Sequence, residues 1–166
     1  MRLLEIEQQY TLYVDMDGVL TDFMKGTADL LGAPLNNENK KEFWKSQKTM
    51  PSEELVQWWA DLDWMPNGQQ LWNYVSKYNP IVLSSPGSVQ RQYVEEGKAK
   101  WIATHLSPAP KKFIFEREKE KYATSTSVII DDRSKVIDPW VAAGGIGILH
   151  KDGQLQNTIA QLRELF

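Results

Sequence analysis

Three carboxylates stand close together in "YVDMDGVLTD", residues 13–22, and the first two, Asp15 and Asp17, directly follow an apolar run. Like charges beside a core are costly unless a cation or a proton offsets them. A second acidic pair, Asp131 and Asp132, closes the apolar run of "SVIIDDR", and a hydroxyl pair, Ser84 and Ser85, closes "NPIVLSSPG". A lone Asp after a strand usually forms a turn or caps a helix. Two acidic pairs and a hydroxyl pair, each ending a buried strand, form a site. Its ligands are oxygens: there is no cysteine, and the two histidines, His105 and His150, lie outside these runs. Hard oxygen donors select Mg²⁺, which keeps positions open for water and a phosphate oxygen. The chemistry expected is therefore metal-assisted handling of a phosphate.

The elements that position these groups follow from patterning. "YTLYVDMD" (10–17), "NPIVLSSPG" (79–87), "SVIIDDR" (127–133) and "GGIGILH" (144–150) read as strands, with "FIF" (113–115) as a fifth. Helical patterns fill 68–78, 89–106, 135–144 and 154–166. Buried strands alternating with helices predict an α/β fold, a doubly wound parallel sheet covered on both faces. Ligands of such sheets bind outside the carboxyl ends of the strands, where the acidic and hydroxyl pairs lie. The stretch 25–64 breaks the rhythm. It is helical in pattern and carries Trp44, Trp58, Trp59 and Trp64, four of the seven tryptophans. It reads as a small helical cap inserted after the first strand, so 1–24 and 65–166 form the core domain.

Composition narrows the classes. A chain of 166 residues with 42% hydrophobic and 25% charged residues suits one globular unit. A net charge of -3 gives no broad attraction to nucleic acid. The absence of cysteine fits a cytoplasmic location. "MRLLEIEQQY" is too short and too charged for a signal peptide, and no apolar run is long enough for a membrane span.

"DMDGVLTD", then "IVLSSPG", then Lys121, then "IIDDR" resembles, in order and over nearly the whole chain, the four motifs of the haloacid dehalogenase (HAD) superfamily of phosphatases. Closer still, the chain is similar to the 5'(3')-deoxyribonucleotidases, through "DMDGVL", "SSP", "IDDR", a lysine ten residues before the acidic pair (Lys121) and a lysine ahead of a tryptophan (Lys98 before Trp101). Ser84 stands where that family has Thr.

The resemblance implies a HAD-like Rossmannoid fold and a Mg²⁺-dependent phosphatase. Asp15 would be the nucleophile forming an aspartyl-phosphate, and Asp17 the acid and base. Asp15, the Asp17 carbonyl and Asp131 would hold the ion, with Asp132 behind a bound water. Ser84, Ser85, Lys121 and Lys98 would bind phosphate, with Lys119 and Arg117 as fallbacks. Phe23, Phe43 and Trp44 would line a nucleoside pocket; otherwise they are cap core. The expected substrate is a small phosphorylated metabolite, a nucleoside monophosphate first. A sugar phosphate and a nucleic-acid 3'-phosphate end are the alternatives, the latter with Lys40, Lys41, Lys45 and Lys48 as a basic rim. A catalytically inactive binding module is the alternative of a different class. Receiver domains share the aspartyl-phosphate chemistry, but their acidic pair precedes the phosphorylated Asp, whereas here it comes last.

Overall fold

The computed structural model describes residues 9–166, so the signal-peptide expectation, which concerns the first ten residues, lies mostly outside the described residues. No helix among the described residues is long and apolar enough to cross a membrane. Five strands, β1 (Thr11–Val14), β2 (Ile81–Ser84), β3 (Lys112–Phe115), β4 (Ser127–Asp131) and β5 (Ile146–Leu149), form one sheet in the order β3-β2-β1-β4-β5. Every pairing is parallel. The sheet is an α/β, Rossmann-like one, as the strand–helix alternation predicts. The winding reverses between β1 and β4, which places the topological switch point between the two strands that end in Asp15 and Asp131.

Side chains alternate across the sheet, and each face builds its own core. Leu12, Val14, Val82, Val128 and Ile130 point to one face, where they meet Trp72, Val75, Trp101, Ile102 and Leu162. Tyr13, Ile81, Leu83 and Ile129 point to the other, against Trp140. The Tyr13 and Trp140 rings meet edge to face at 5.4 Å. The covering helices are α4 (Gly68–Val75), α5 (Arg91–His105), α6 (Ser134–Ala142) and α7 (Leu155–Leu165). The helical pattern over 68–78 is only partly α: Ser76–Tyr78 tightens into a 3-10 turn that ends at Asn79 in the left-handed region, φ 52°.

The stretch read as an insertion holds α1 (Phe23–Leu31), α2 (Lys40–Thr49) and α3 (Ser52–Ala60). Asp22 caps α1 by accepting from the Lys25 amide at 3.1 Å. The two ends of the stretch are stapled together: Asp22 N donates to Asp63 O (2.8 Å) and Met65 N to Leu20 O (2.7 Å). Its Leu55, Trp59 and Leu62 join the larger of the two cores, so these helices lean on the sheet rather than stand apart from it.

The contact between α3 and α5 is close enough to require glycine. A Cβ at Gly97 would lie 2.6 Å from both Val56 O and Trp59 Cβ. Gly97→Ala would gain about 1 kcal/mol of helix propensity, but overpacking against backbone costs about 1–3 kcal/mol. A lowered denaturation midpoint is the expected result. A higher one would mean that the two helices are not in backbone contact.

Candidate active site

The chain leaves β1 through a tight loop. Asp15 N donates to Ile130 O (3.0 Å), so the ladder with β4 extends to the first carboxylate itself. Met16 O then accepts the amides of Val19, Leu20 and Thr21 at 3.0, 2.7 and 3.0 Å. Gly18 adopts φ 84°, and a Cβ there would collide with the Asp132 carboxylate. The loop thus brings the first acidic pair against the second.

Asp15 and Asp131 are buried, and a single ammonium joins them. Lys119 Nζ donates to Asp15 Oδ1 at 2.7 Å and to Asp131 Oδ2 at 2.8 Å. Burial pushes the Asp15 carboxyl well above the usual range; Lys119 pulls it back, while Asp131 and Asp17 push it further up. Burial also works against the charge on Lys119, but Asp15 and Asp131 outweigh it and hold its pKa up. Asp131 Oδ1 accepts the Arg133 amide (3.0 Å), and Asp131 O accepts the His150 amide (2.8 Å), which fixes the strand end.

Asp132 lies beside this pair. Its Oδ1 is buried without a hydrogen-bond partner. Burial, and then the neighbouring Asp131, push its pKa up to about 6. Its backbone carbonyl accepts from Lys151 Nζ at 2.5 Å. Asp15, Asp131 and Asp132 each offer an oxygen within 4.8 Å of the others. An all-oxygen donor set, one orphaned oxygen and carboxyls raised by burial are what a hard divalent cation would satisfy, so these residues fit Mg²⁺.

Asp17 takes another course. Its Oδ1 accepts from Thr21 Oγ1 (2.9 Å) and its Oδ2 from Lys98 Nζ (2.8 Å). Lys98 is buried and uses its other two donors on Ser84 Oγ and Ser85 O, both at 2.8 Å. The Trp59 ring lies 4.9 Å from the same ammonium. Lys98 thereby ties the end of β2 to Asp17. Ser85 is half-buried and accepts from the Gly87 amide at 3.4 Å.

The structure thus brings Asp15, Asp17, Ser84, Ser85, Lys98, Asp131 and Asp132 together at one sheet edge. It does not bring Lys121 there. Lys121 is exposed and pairs with Glu116 (3.3 Å) and Glu118 (3.1 Å). The lysine that meets the carboxylates is Lys119, expected only as a fallback, and not Lys121. Both lie in the 3-10 turn Lys119–Tyr122, where three residues make a turn, so side chains two apart point in different directions. Lys119 faces the carboxylates and Lys121 the solvent.

The aromatic residues form a packed group. Phe43 is fully buried, between Phe23 (5.6 Å), Trp44 (5.0 Å) and Trp58 (5.9 Å). Phe23 stacks on Trp59 at 5.6 Å. In this arrangement Trp44, 39% exposed, presents the free ring surface. Thr21, which holds Asp17, is not among the residues that the motifs single out. A hydroxyl four residues after Asp17 was the available signal for Thr21.

No known family model and no curated protein matches the chain. Solved structures do match in fold. A haloacid dehalogenase-like family hydrolase from Xanthomonas campestris is similar at 11% identity and TM-score 0.58, over 97% of this chain and 93% of that one. A HAD family enzyme from Bacteroides thetaiotaomicron, solved as a magnesium complex, is similar at 13% identity and TM-score 0.52, over 88% and 95%. D,D-heptose 1,7-bisphosphate phosphatase from Burkholderia thailandensis is similar at 11% identity and TM-score 0.50, over 92% and 84%. The fold is that of the HAD hydrolases.

Proposed function

We propose that this chain is a Mg²⁺-dependent phosphomonoester hydrolase that works through an aspartyl-phosphate and takes nucleoside monophosphates, in the manner of the 5'(3')-deoxyribonucleotidases that its motifs resemble. One observation carries the reading: Asp15 and Asp131 share a buried lysine beside the unpartnered Asp132 oxygen, while Asp17 is held apart by a second buried lysine that also holds Ser84. A purely structural role does not call for four carboxylates and two lysines at one strand edge. Two fold neighbours add support, one a magnesium complex and one a phosphatase.

In this reading Asp15 attacks phosphorus in line, forming a P–O bond as the ester oxygen departs with a proton from Asp17. Asp17 then takes a proton from water, which displaces phosphate from Asp15. Thr21 and Lys98 hold the Asp17 carboxylate in place for both steps. Ser84, Ser85 and Lys119 bind the phosphoryl oxygens, and Lys98, with its three donors on Asp17, Ser84 and Ser85, holds these groups in position. Lys119 also favours the ionised, nucleophilic form of Asp15. Asp15, Asp131 and the Asp17 carbonyl would hold Mg²⁺, with Asp132 beside it, and the ion would offset charge between carboxylates and phosphate. Helices α1 to α3 act as a cap over the strand ends and exclude water. Trp44 offers a stacking surface for a base, worth about 1–3 kcal/mol. The exposed Lys40, Lys41, Lys45 and Lys48 on the same helix keep a nucleic-acid end as the second reading.

A phosphate-release panel of nucleoside monophosphates, sugar phosphates and 3'-phosphorylated oligonucleotides tests the substrate. Nucleoside monophosphates are expected to lead, and preference for the oligonucleotides would favour the second reading. Activity should vanish in EDTA and return with Mg²⁺; full turnover in EDTA overturns the chemistry. The ion should also stabilise the fold with a definite pH dependence. A carboxyl whose folded pKa is raised contributes stability below its unfolded pKa, and loses it as pH rises through the folded value. For Asp132 that window runs from 3.8 to about 6. Mg²⁺ reverses the loss, so its gain in melting temperature should be larger near about pH 7.5 than near about pH 4. An equal gain at both would place the ion elsewhere.

A further inference from the structure

Gln90 has a backbone that its residue type disfavours. It stands at φ 47°, ψ 43°, in the left-handed region, directly before α5. With Asn79 it is one of two such non-glycine residues among the described residues. Its carbonyl accepts the amides of Tyr93 (3.0 Å) and Val94 (3.2 Å), opening the helix that carries Lys98. Its side-chain Nε2 crosses to the C-terminal turn of α2 and donates to Gln47 O (2.7 Å), Met50 O (3.1 Å) and Lys48 O (3.2 Å). The last carbonyls of a helix have no partner within it, and here a side chain from the far side of β2 supplies one.

The same turn of α2 is held from a second side. Trp59 Nε1 donates to Gln47 Oε1 at 3.0 Å, and the Trp59 ring lies against Lys98. Gln47 is therefore gripped by Gln90 through its backbone and by Trp59 through its side chain. Trp44 lies one turn earlier on α2. A glycine at 90 would adopt this backbone without strain. What Gln supplies, and glycine does not, is an amide long enough to reach α2.

We infer that Gln90 is a positioning residue that sets α2, and with it Trp44, against the phosphate-binding end of β2, so that it governs recognition of the substrate portion beyond the phosphate. This rests on the phosphatase reading above. Gln90 touches no reacting atom. Its effect should therefore fall on KM for substrates with a large organic group and spare a small phosphate ester.

Two variants and two readouts test this. Gln90→Gly removes both tie and strain; Gln90→Glu keeps the length but sets a carboxylate against three carbonyls. For both, KM for a deoxynucleoside 5'-monophosphate should rise at least about fivefold, with kcat changed less and p-nitrophenyl phosphate affected far less. Gln90→Gly should melt no lower than the parent, which separates positioning from folding. Independently of substrate, trypsin should cut at Lys40, Lys41, Lys45 or Lys48 at least about fivefold faster in Gln90→Gly, because α2 has lost its tie. Unchanged cleavage together with an unchanged nucleotide KM, or an equal loss on both substrates, overturns the inference. A parent that hydrolyses no phosphate ester would instead overturn the phosphatase reading, and the cleavage rates would still decide whether Gln90 holds α2.

Discussion

Asp15→Asn is expected to cut turnover of any phosphate monoester by about a thousandfold or more, equivalent to about 4 kcal/mol of lost transition-state stabilisation. The amide keeps the shape of the carboxylate and can still accept from Lys119, so the fold should survive. Burial and two neighbouring carboxylates already disfavour the charge at this position. In EDTA the variant should therefore melt at or above the parent temperature. A folded Asp15→Asn protein that kept substantial turnover would show that the nucleophile lies elsewhere.

The second large effect separates two lysines two residues apart. Lys119→Met removes the ammonium between Asp15 and Asp131 and leaves two buried carboxylates facing each other. Breaking such a buried pair costs about 3–5 kcal/mol when one partner is removed, moderated here because a carboxyl can take up a proton. The catalytic loss should be about a hundredfold or more in kcat/KM, since a protonated Asp15 is a poor nucleophile. Lys121→Met removes only an exposed ion pair with Glu116 and Glu118, and both activity and melting temperature should stay close to the parent. Should Lys121→Met be the damaging change, the arrangement of the 3-10 turn described above is wrong.

That contrast also marks where the sequence stops being informative. Asp15, Asp17, Ser84, Asp131 and Asp132 are legible because each ends an apolar run, and a parallel sheet sends all such ends to one edge. The strands are legible for the same reason, down to the short "FIF" at 113–115, which appears as β3. In "EREKEKY" no apolar period says which lysine turns inward. Spacing to the acidic pair favours Lys121, and only the tertiary path of the 3-10 turn selects Lys119. Phe43 and Trp44 are a similar case. Neighbouring aromatic residues on a helix face different ways, and the packing of Phe23 and Trp58 decides that Phe43 is buried while Trp44 reaches solvent. Gln90 carried no signal, because its role depends on a helix some forty residues earlier in the chain.

The strand order has a consequence for how the molecule forms. β1 is central, and none of its partners is near in sequence: Tyr13 pairs with Ile81 on one side and with Ile129 on the other. Pairings of such wide separation demand loop closure before they return any stabilisation, and they slow folding. The aromatic residues of α1 to α3 are close in sequence and can cluster while β1 still waits for its neighbours. During synthesis the strand that ends at Asp15 leaves the ribosome before either of the strands that pair with it. Until Ser127–Asp131 has emerged, Asp15 has neither the ladder to β4 that fixes it nor the second acidic pair, and a nascent chain stopped short of β4 contains Asp15 without the carboxylates it is grouped with.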